Sequence, residues 1–169
     1  MHMTSNSEEL RNLLDECDTV AKNALYNAQA HFILADSKER NGRWLLIAPS
    51  TVSAVCGLLT AVGLPNWLGA FSAIGGLMVT MAAILGVDKQ PTAHRNAACQ
   101  WTALRHEARA LHETYYREIP REQLVAEVRR IDDRYVALCQ ALEPTDKESF
   151  EAARQQIQSG IHEPDTKKG

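Results

Sequence analysis

The chain has 169 residues and a formal charge of −3, its 18 basic and 21 acidic side chains spread over both ends. That length holds one folded unit, and the charge forms no basic stripe of the kind that nucleic-acid binding needs, so no directly bound nucleic acid is expected. Four cysteines, Cys17, Cys56, Cys99 and Cys139, are scattered without a C-x-x-C spacing; this argues against a zinc or redox motif and reads as small hydrophobic packing.

Met1-His2-Met3 reads as a start remnant rather than a feature. From Ser7 to about Ser37 the pattern is that of a long amphipathic helix. Leu10, Leu14, Cys17, Ala21, Ala24, Ala28, His31 and Ala35 recur at alternating steps of four and three, the rhythm of a coiled-coil seam. The alanines let a neighbouring helix approach closely. Ser7 is the expected N-cap, with Glu8 and Glu9 at the positive end of the helix dipole. Asn41-Gly42 is expected to loosen the helix before the next segment.

Two stretches follow, Trp44 to Leu64 and Trp67 to Val87, without a single Asp, Glu, Lys, Arg or His. At ~1.5 Å per residue each reaches ~30 Å as a helix, the hydrocarbon thickness of a bilayer. The mean hydropathy of −0.28 resembles that of a soluble protein, because the remaining residues are strongly polar. Pro49 is expected to bend the first span without ending it, and Pro65-Asn66 makes a short turn. The second span runs out at Asp88-Lys89-Gln90, where Pro91 breaks or restarts the helix. A buried hairpin of a soluble protein is the competing reading; full membrane length and flanking tryptophans and basic residues argue against it. No cleavable signal peptide is expected, since the first apolar run begins only at Trp44. Lys38, Arg40 and Arg43 precede the pair, Lys89 and Arg95 follow it, and the turn is uncharged. The positive-inside rule therefore puts both termini in the cytoplasm.

From about Ala93 to Ile119 the helical rhythm returns in Ala97, Trp101, Leu104, Ala108, Leu111 and Tyr115. Pro120 fits a first-turn proline. Leu124, Val128, Ile131, Tyr135, Leu138 and Leu142 mark the next helix, which Glu143-Pro144 stops. Thr145-Asp146-Lys147-Glu148 reads as a capping box for a short last helix with Phe150, Ala153 and Ile157 on its buried face. The polar tail after Gly160 is expected to fray. The fold class is all-α: a transmembrane two-helix hairpin plus a cytoplasmic helical bundle supplied by both ends of the chain. Its parts are an N-terminal amphipathic helix (1–43), the hairpin (44–87, with spans 44–64 and 67–87), the C-terminal helices (88–160) and the tail (161–169).

Small residues line up at helical spacing within the spans. Ser53, Gly57 and Ala61 share one face of the first; in the second, Gly69 pairs with Ala73 and, separately, Ser72 with Gly76. Such faces let backbones approach in lipid, either within one hairpin or between copies. Thr51, Thr60, Ser72 and Thr80 offer mild polarity, and Ser72 with Thr80 are the candidate pore-lining residues. No ionisable group is available for a proton relay. Catalytic candidates are scarce. His106, Glu107, His112 and Glu113 share a helix, but the histidines lack the i, i+4 spacing of a helical zinc site. His31 lies on a seam and reads as a packed, hydrogen-bonded histidine. Arg129, Arg130, Asp132, Asp133 and Arg134 read as a solvated face with i, i+4 ion pairs. No catalytic residue, metal or cofactor is expected, and the chain does not read as an enzyme.

The Ala-rich helix from Ala21 to Ala35 entering a first span, the short turn at Pro65-Asn66, the Trp101-x-x-Leu104 helix and two further helices resemble the SLATT family. These are two-transmembrane effector domains associated with SMODS nucleotidyltransferases and SLOG sensor domains in bacterial conflict systems. The likeness runs from about Ser7 to Ser159 and rests on layout and hydrophobic pattern. It implies a bacterial inner-membrane protein that self-assembles, forms a pore when a partner signals infection, and arrests or kills the cell. With no sensor domain legible in the sequence, it also implies a separate signalling partner. The alternative is a membrane anchor or scaffold that recruits a cytoplasmic protein without permeabilising anything.

Overall fold

The computed structural model describes residues 2–86 and 89–160. These residues are helical, with no strand among them: α1 His2–Ala61, α2 Trp67–Ile84, α3 Gln90–Glu113, α4 Arg121–Ala141 and α5 Lys147–Gln158, with a 3-10 turn at Tyr115–Arg117. The expected end of the second span at Val87-Asp88, the polar tail and Met1 lie outside the described residues.

Helix α1 is 60 residues long, about 90 Å at the α-helical rise. It begins before Ser7, so the residue expected as N-cap lies inside the helix. It also runs unbroken through Asn41-Gly42. Each helical residue adds a hydrogen bond once a helix exists, and good helix formers on both sides carry it across two weak positions that cost about 1 kcal/mol or less apiece. Gly42 is buried. The helix ends at Ala61 rather than Leu64. Gly63 takes φ 91°, its N–H donates to the Thr60 carbonyl (3.1 Å) and the Leu64 N–H to the Leu59 carbonyl (3.2 Å). This is the glycine-dependent double hydrogen bond that closes many helices.

Contacts divide the chain into two units, residues 1–34 with 94–169, and residues 35–93. Hydropathy had drawn its boundary later, between Arg43 and Trp44. The core of the first unit joins Cys17, Val20, Ala21, Ala24 and Ala28 of α1, Trp101, Leu104, Ala108 and Leu111 of α3, and Leu124, Val128, Ile131 and Leu138 of α4. Helix α5 adds Ala153. The buried stripe of α1 includes Val20, Ala30 and Leu34 beside the expected seam positions, wider than a two-helix seam requires. Three neighbours account for the width. Glu9 pairs with Arg121 of α4, His31 meets His94 of α3, and Gln29 Nε2 donates to Gln156 Oε1 of α5 at 2.6 Å.

Helix α3 stops at Glu113, short of Ile119, leaving Tyr115 exposed. Pro120 is the N-cap of α4, in an extended conformation (φ −59°, ψ 149°), not a first-turn residue. At α5 the cap is Asp146 and not Thr145: its carboxylate accepts the Ser149 N–H at 2.6 Å. Ala153 is buried, Ile157 half-buried and Phe150 exposed, its ring 6.3 Å from that of Tyr26. Asp146→Ala is expected to cost about 1 kcal/mol, the usual worth of an N-cap. Faster amide exchange confined to α5 would register it; unchanged exchange there would show that the cap contributes nothing.

Candidate functional site

The second unit is built from the later part of α1 and from α2. Their contacts run antiparallel, pairing Pro49 with Gly75, Ser53 with Ser72, and Thr60 with Gly69. On α1 the covered positions include Leu46, Pro49, Ser53, Cys56 and Thr60, with Gly57 and Leu59 beside them; on α2 they include Leu68, Ser72, buried Gly75, Val79 and buried Ala82, with Gly69 beside them. Both series alternate steps of three and four, the spacing of a straight two-helix seam.

Glycine sets how closely the backbones approach. A Cβ on Gly75 would lie 2.7 Å from the Pro49 carbonyl oxygen and 2.9 Å from Ser53 Cβ, contacts that no side chain can accommodate without moving backbone. On Gly57 it would lie 3.1 Å from Ser72 Oγ, and on Gly69 3.7 Å from Thr60 Cγ2. Of the six residues expected to pack helices, Ser53, Gly57 and Gly69 lie in this seam. Ala61 and Ala73 are exposed, and Gly76 has open space around the position of a Cβ. Gly75, one residue away and therefore ~100° round the helix, takes the place expected of Gly76.

Between Trp44 and Gly86 there are six hydroxyl side chains, and every one is hydrogen-bonded within the unit. Ser50 and Thr51 donate to the Ile47 carbonyl (2.9 and 2.8 Å), Thr60 to Cys56 (2.8 Å) and Thr80 to Gly76 (3.0 Å). Ser53 Oγ donates to the Ser72 carbonyl at 2.8 Å and lies 3.3 Å from Ser72 Oγ. Ser72 is thus half-buried against α1, while Thr80 is exposed.

The outside of the pair is apolar and uncovered. Leu45, Val52, Val55, Leu58, Phe71, Ile74, Leu77 and Met81 are all exposed. Two helices are long and apolar enough to cross a membrane; none of the most apolar window of α1 is buried, and 11% of that of α2. A soluble core hairpin would bury most of both. Trp44 and Trp67, 66% and 62% exposed, stand at opposite ends of the antiparallel pair, the positions that interfacial tryptophans occupy.

Among the described residues, the titratable groups singled out from the sequence lie in separate places of the first unit. Among the described residues no group of three or more His, Cys, Asp or Glu side chains could hold a metal. His106 and Glu107 line an open cavity of about 570 Å³ between α3 and α4, whereas His112 and Glu113 border a different hollow. Glu107 pairs with Arg134 and lies 3.7 Å from Arg130, which also donates to Glu127 at 2.8 Å. Arg130 and Arg134 therefore tie α4 to α3, and the ion pair within α4 is the i, i+3 pair Arg130–Glu127. Asp132 is held above the usual carboxylate range by burial, then by Glu16 and Asp133. Cys17 is buried, and its thiol is pushed up to about 11 by burial and by Asp132 and Glu16; it stays protonated and unreactive. Cys56 is half-buried, but Cys99 and Cys139 are exposed, not packed as small hydrophobic residues as expected.

His31 is buried, as its seam position implies, and its partner His94 was not singled out by sequence. The signal existed: extending the α3 rhythm of Ala97, Trp101 and Leu104 back by three residues lands on His94. No protein-family model, curated protein or solved structure matches the chain.

Proposed function

We propose that residues 44–86 form a transmembrane hairpin and that the chain is a membrane effector of a bacterial defence system, self-assembling to permeabilise the inner membrane when a partner signals infection. The observation that carries the membrane reading is the uncovered apolar surface of the helix pair, combined with hydroxyls that all find partners inside it. Lipid supplies no hydrogen bonds, so a spanning segment must satisfy its polar groups internally. The basic flanks support cytoplasmic termini, with the helical unit on that side. Partners are the bilayer, further copies of this chain and a separate signalling protein; the action needs no cofactor and no catalysis. The effector role itself rests on the resemblance to the SLATT layout. Ala61, Ala73 and Gly76, left outside the hairpin seam, are the small residues available for contact between copies.

The scaffold reading has its own support: with Ser72 half-buried between the helices, the exposed hydroxyls of the pair are Ser50, Thr51 and Thr80, and each already donates to a carbonyl of its own helix, which leaves little polarity to line a water-filled path. Expression in bacteria carrying a potential-sensitive dye separates the two. An effector depolarises the cells once its trigger is present, and Thr80→Leu reduces the effect while leaving the protein in the membrane fraction. Selectivity among small ions should be weak, because no ring of charge is available. Triggered cells that keep their potential would refute the effector and leave the anchor.

A further inference from the structure

His31 of α1 and His94 of α3 are 4% and 6% exposed, their Nδ1 atoms 3.3 Å apart and their ring centroids 5.5 Å apart. With Ser149 they are the buried polar side chains among the described residues. Two imidazole Nδ1 atoms at hydrogen-bond distance share one hydrogen, one ring donating and the other accepting. His94 Nε2 lies 3.9 Å from the Glu143 carboxylate. A proton on that nitrogen faces the anion, which makes His94 Nδ1 the acceptor and His31 Nδ1 the donor.

This pair tolerates one added proton and no more. A charged His94 can donate from Nδ1 to a neutral His31 whose own proton has moved to Nε2, giving a charge-assisted hydrogen bond. When both rings are charged, both Nδ1 atoms carry hydrogens, and two buried cations face each other. We propose that His31 and His94 form a proton-operated latch between α1 and α3, closed while the pair holds at most one added proton and released when both rings are charged.

Charged and titratable groups of α4, α5 and their connection border the cavity onto which His31 opens. Cys139 of α4, Glu143 of the α4–α5 connection, and Asp146 and Lys147 at the start of α5 line a cavity of about 450 Å³ onto which His31 and Trp101 also open. Asp146 is engaged as the α5 cap, and Lys147 opposes the field of both carboxylates. They do not offset burial: desolvation first, and then His94, hold His31 below its ordinary value. The cavity gives the second proton a route from water. Because the folded state depresses the His31 pKa, the unfolded chain binds more protons across the interval between the two values. The latch therefore stabilises fully above the ordinary imidazole value of about 6.5, and that contribution is lost as pH falls below it towards the folded value.

The test uses the full chain in nanodiscs with isotope-labelled histidine. His31 should titrate below about 6.5 by NMR. Between about pH 7.5 and pH 5, the window in which histidine changes charge, amide protection around His31 and His94 should fall relative to the rest of the unit. The fall should reach about tenfold for each unit by which His31 is depressed. His94→Asn keeps a polar group near Nδ1 but cannot take the second charge, so it should remove the part of the acid-dependent loss that comes from His94 and leave the part that comes from burial. His31 titrating at or above its ordinary value, or His94→Asn showing the wild-type pH dependence, overturns the latch. Stoichiometric capture of added Co²⁺ that disappears in His94→Asn overturns it too, since a metal would then bridge the two nitrogens. If His94→Asn fails to fold, the wild-type titration and exchange decide alone.

Discussion

Leu104→Ala is expected to destabilise the helical unit by about 3–5 kcal/mol, the upper part of the range for large-to-small substitution in a core. Leu104 is fully buried, and its cluster includes Ala21, Ala24, Ala28 and Ala108. Alanines let α1 and α3 approach closely, and for the same reason they cannot swing into vacated space. The cavity therefore stays largely open, and the lost contacts are not recovered. Leu77→Ala is the control: Leu77 is 63% exposed on α2, touches no core, and should change stability by less than about 0.5 kcal/mol. Chemical unfolding of the full chain in one detergent, followed by circular dichroism and by exchange in α3, compares the two. Equal effects would mean that the alanine-rich cluster is not the source of stability in this unit.

The same alanines explain how much of the first unit was legible. A seam that repeats in steps of three and four over several turns specifies a helix and its inward face, because the period alone decides which side chains can meet. So Cys17 to Ala35, Trp101 to Leu111 and Leu124 to Leu138 could be assigned from the sequence. Boundaries were harder. Ser7, Thr145 and Pro120 each had the chemistry of a helix start, yet the helix began earlier at the first, one residue later at the second, and directly after the third. Several adjacent residues can cap, and tertiary contacts choose among them. His94 was missed for a different reason. Its residue type suggested solvent, while its place in the rhythm pointed to the core. Cys99 and Cys139 show the reverse error, in which residue type suggested burial and position denied it. Spacing was the better guide in all three.

Small residues in the second unit carried less information than they seemed to. Ser72 can form a stripe with Gly76 or with Gly75, and period cannot choose between them, since only the direction of the facing helix does. Here the facing helix brings Pro49 and Ser53 onto Gly75. Gly75 lies against the backbone carbonyl of Pro49 itself, where only a residue without a side chain fits. The sequence contained both residues, but not their registration.

That registration gives Gly75→Leu and Gly76→Leu opposite expected results. At position 75 a Cβ would meet a backbone carbonyl at 2.7 Å and Ser53 Cβ at 2.9 Å, so the two helices must separate along much of their length. Overpacking of this kind costs about 1–3 kcal/mol or more, and the separation also breaks the Ser53–Ser72 hydrogen bonds, whose loss lipid does not repair. At position 76 there is open space, and the pair should stand. A disulfide between T60C and G69C, in a background with the native cysteines replaced, reports on the pair directly, because those residues face each other across the seam. It should form in the parent and with Gly76→Leu, and fail with Gly75→Leu. Native mass spectrometry on the same proteins then reads assembly. If copies meet through the outer small face, Gly76→Leu lowers the oligomer while the disulfide still forms, which separates contact between chains from contact within one. Intact oligomer in Gly76→Leu would remove that face from the self-assembly proposed here, and a disulfide that persists in Gly75→Leu would refute the close approach at Pro49.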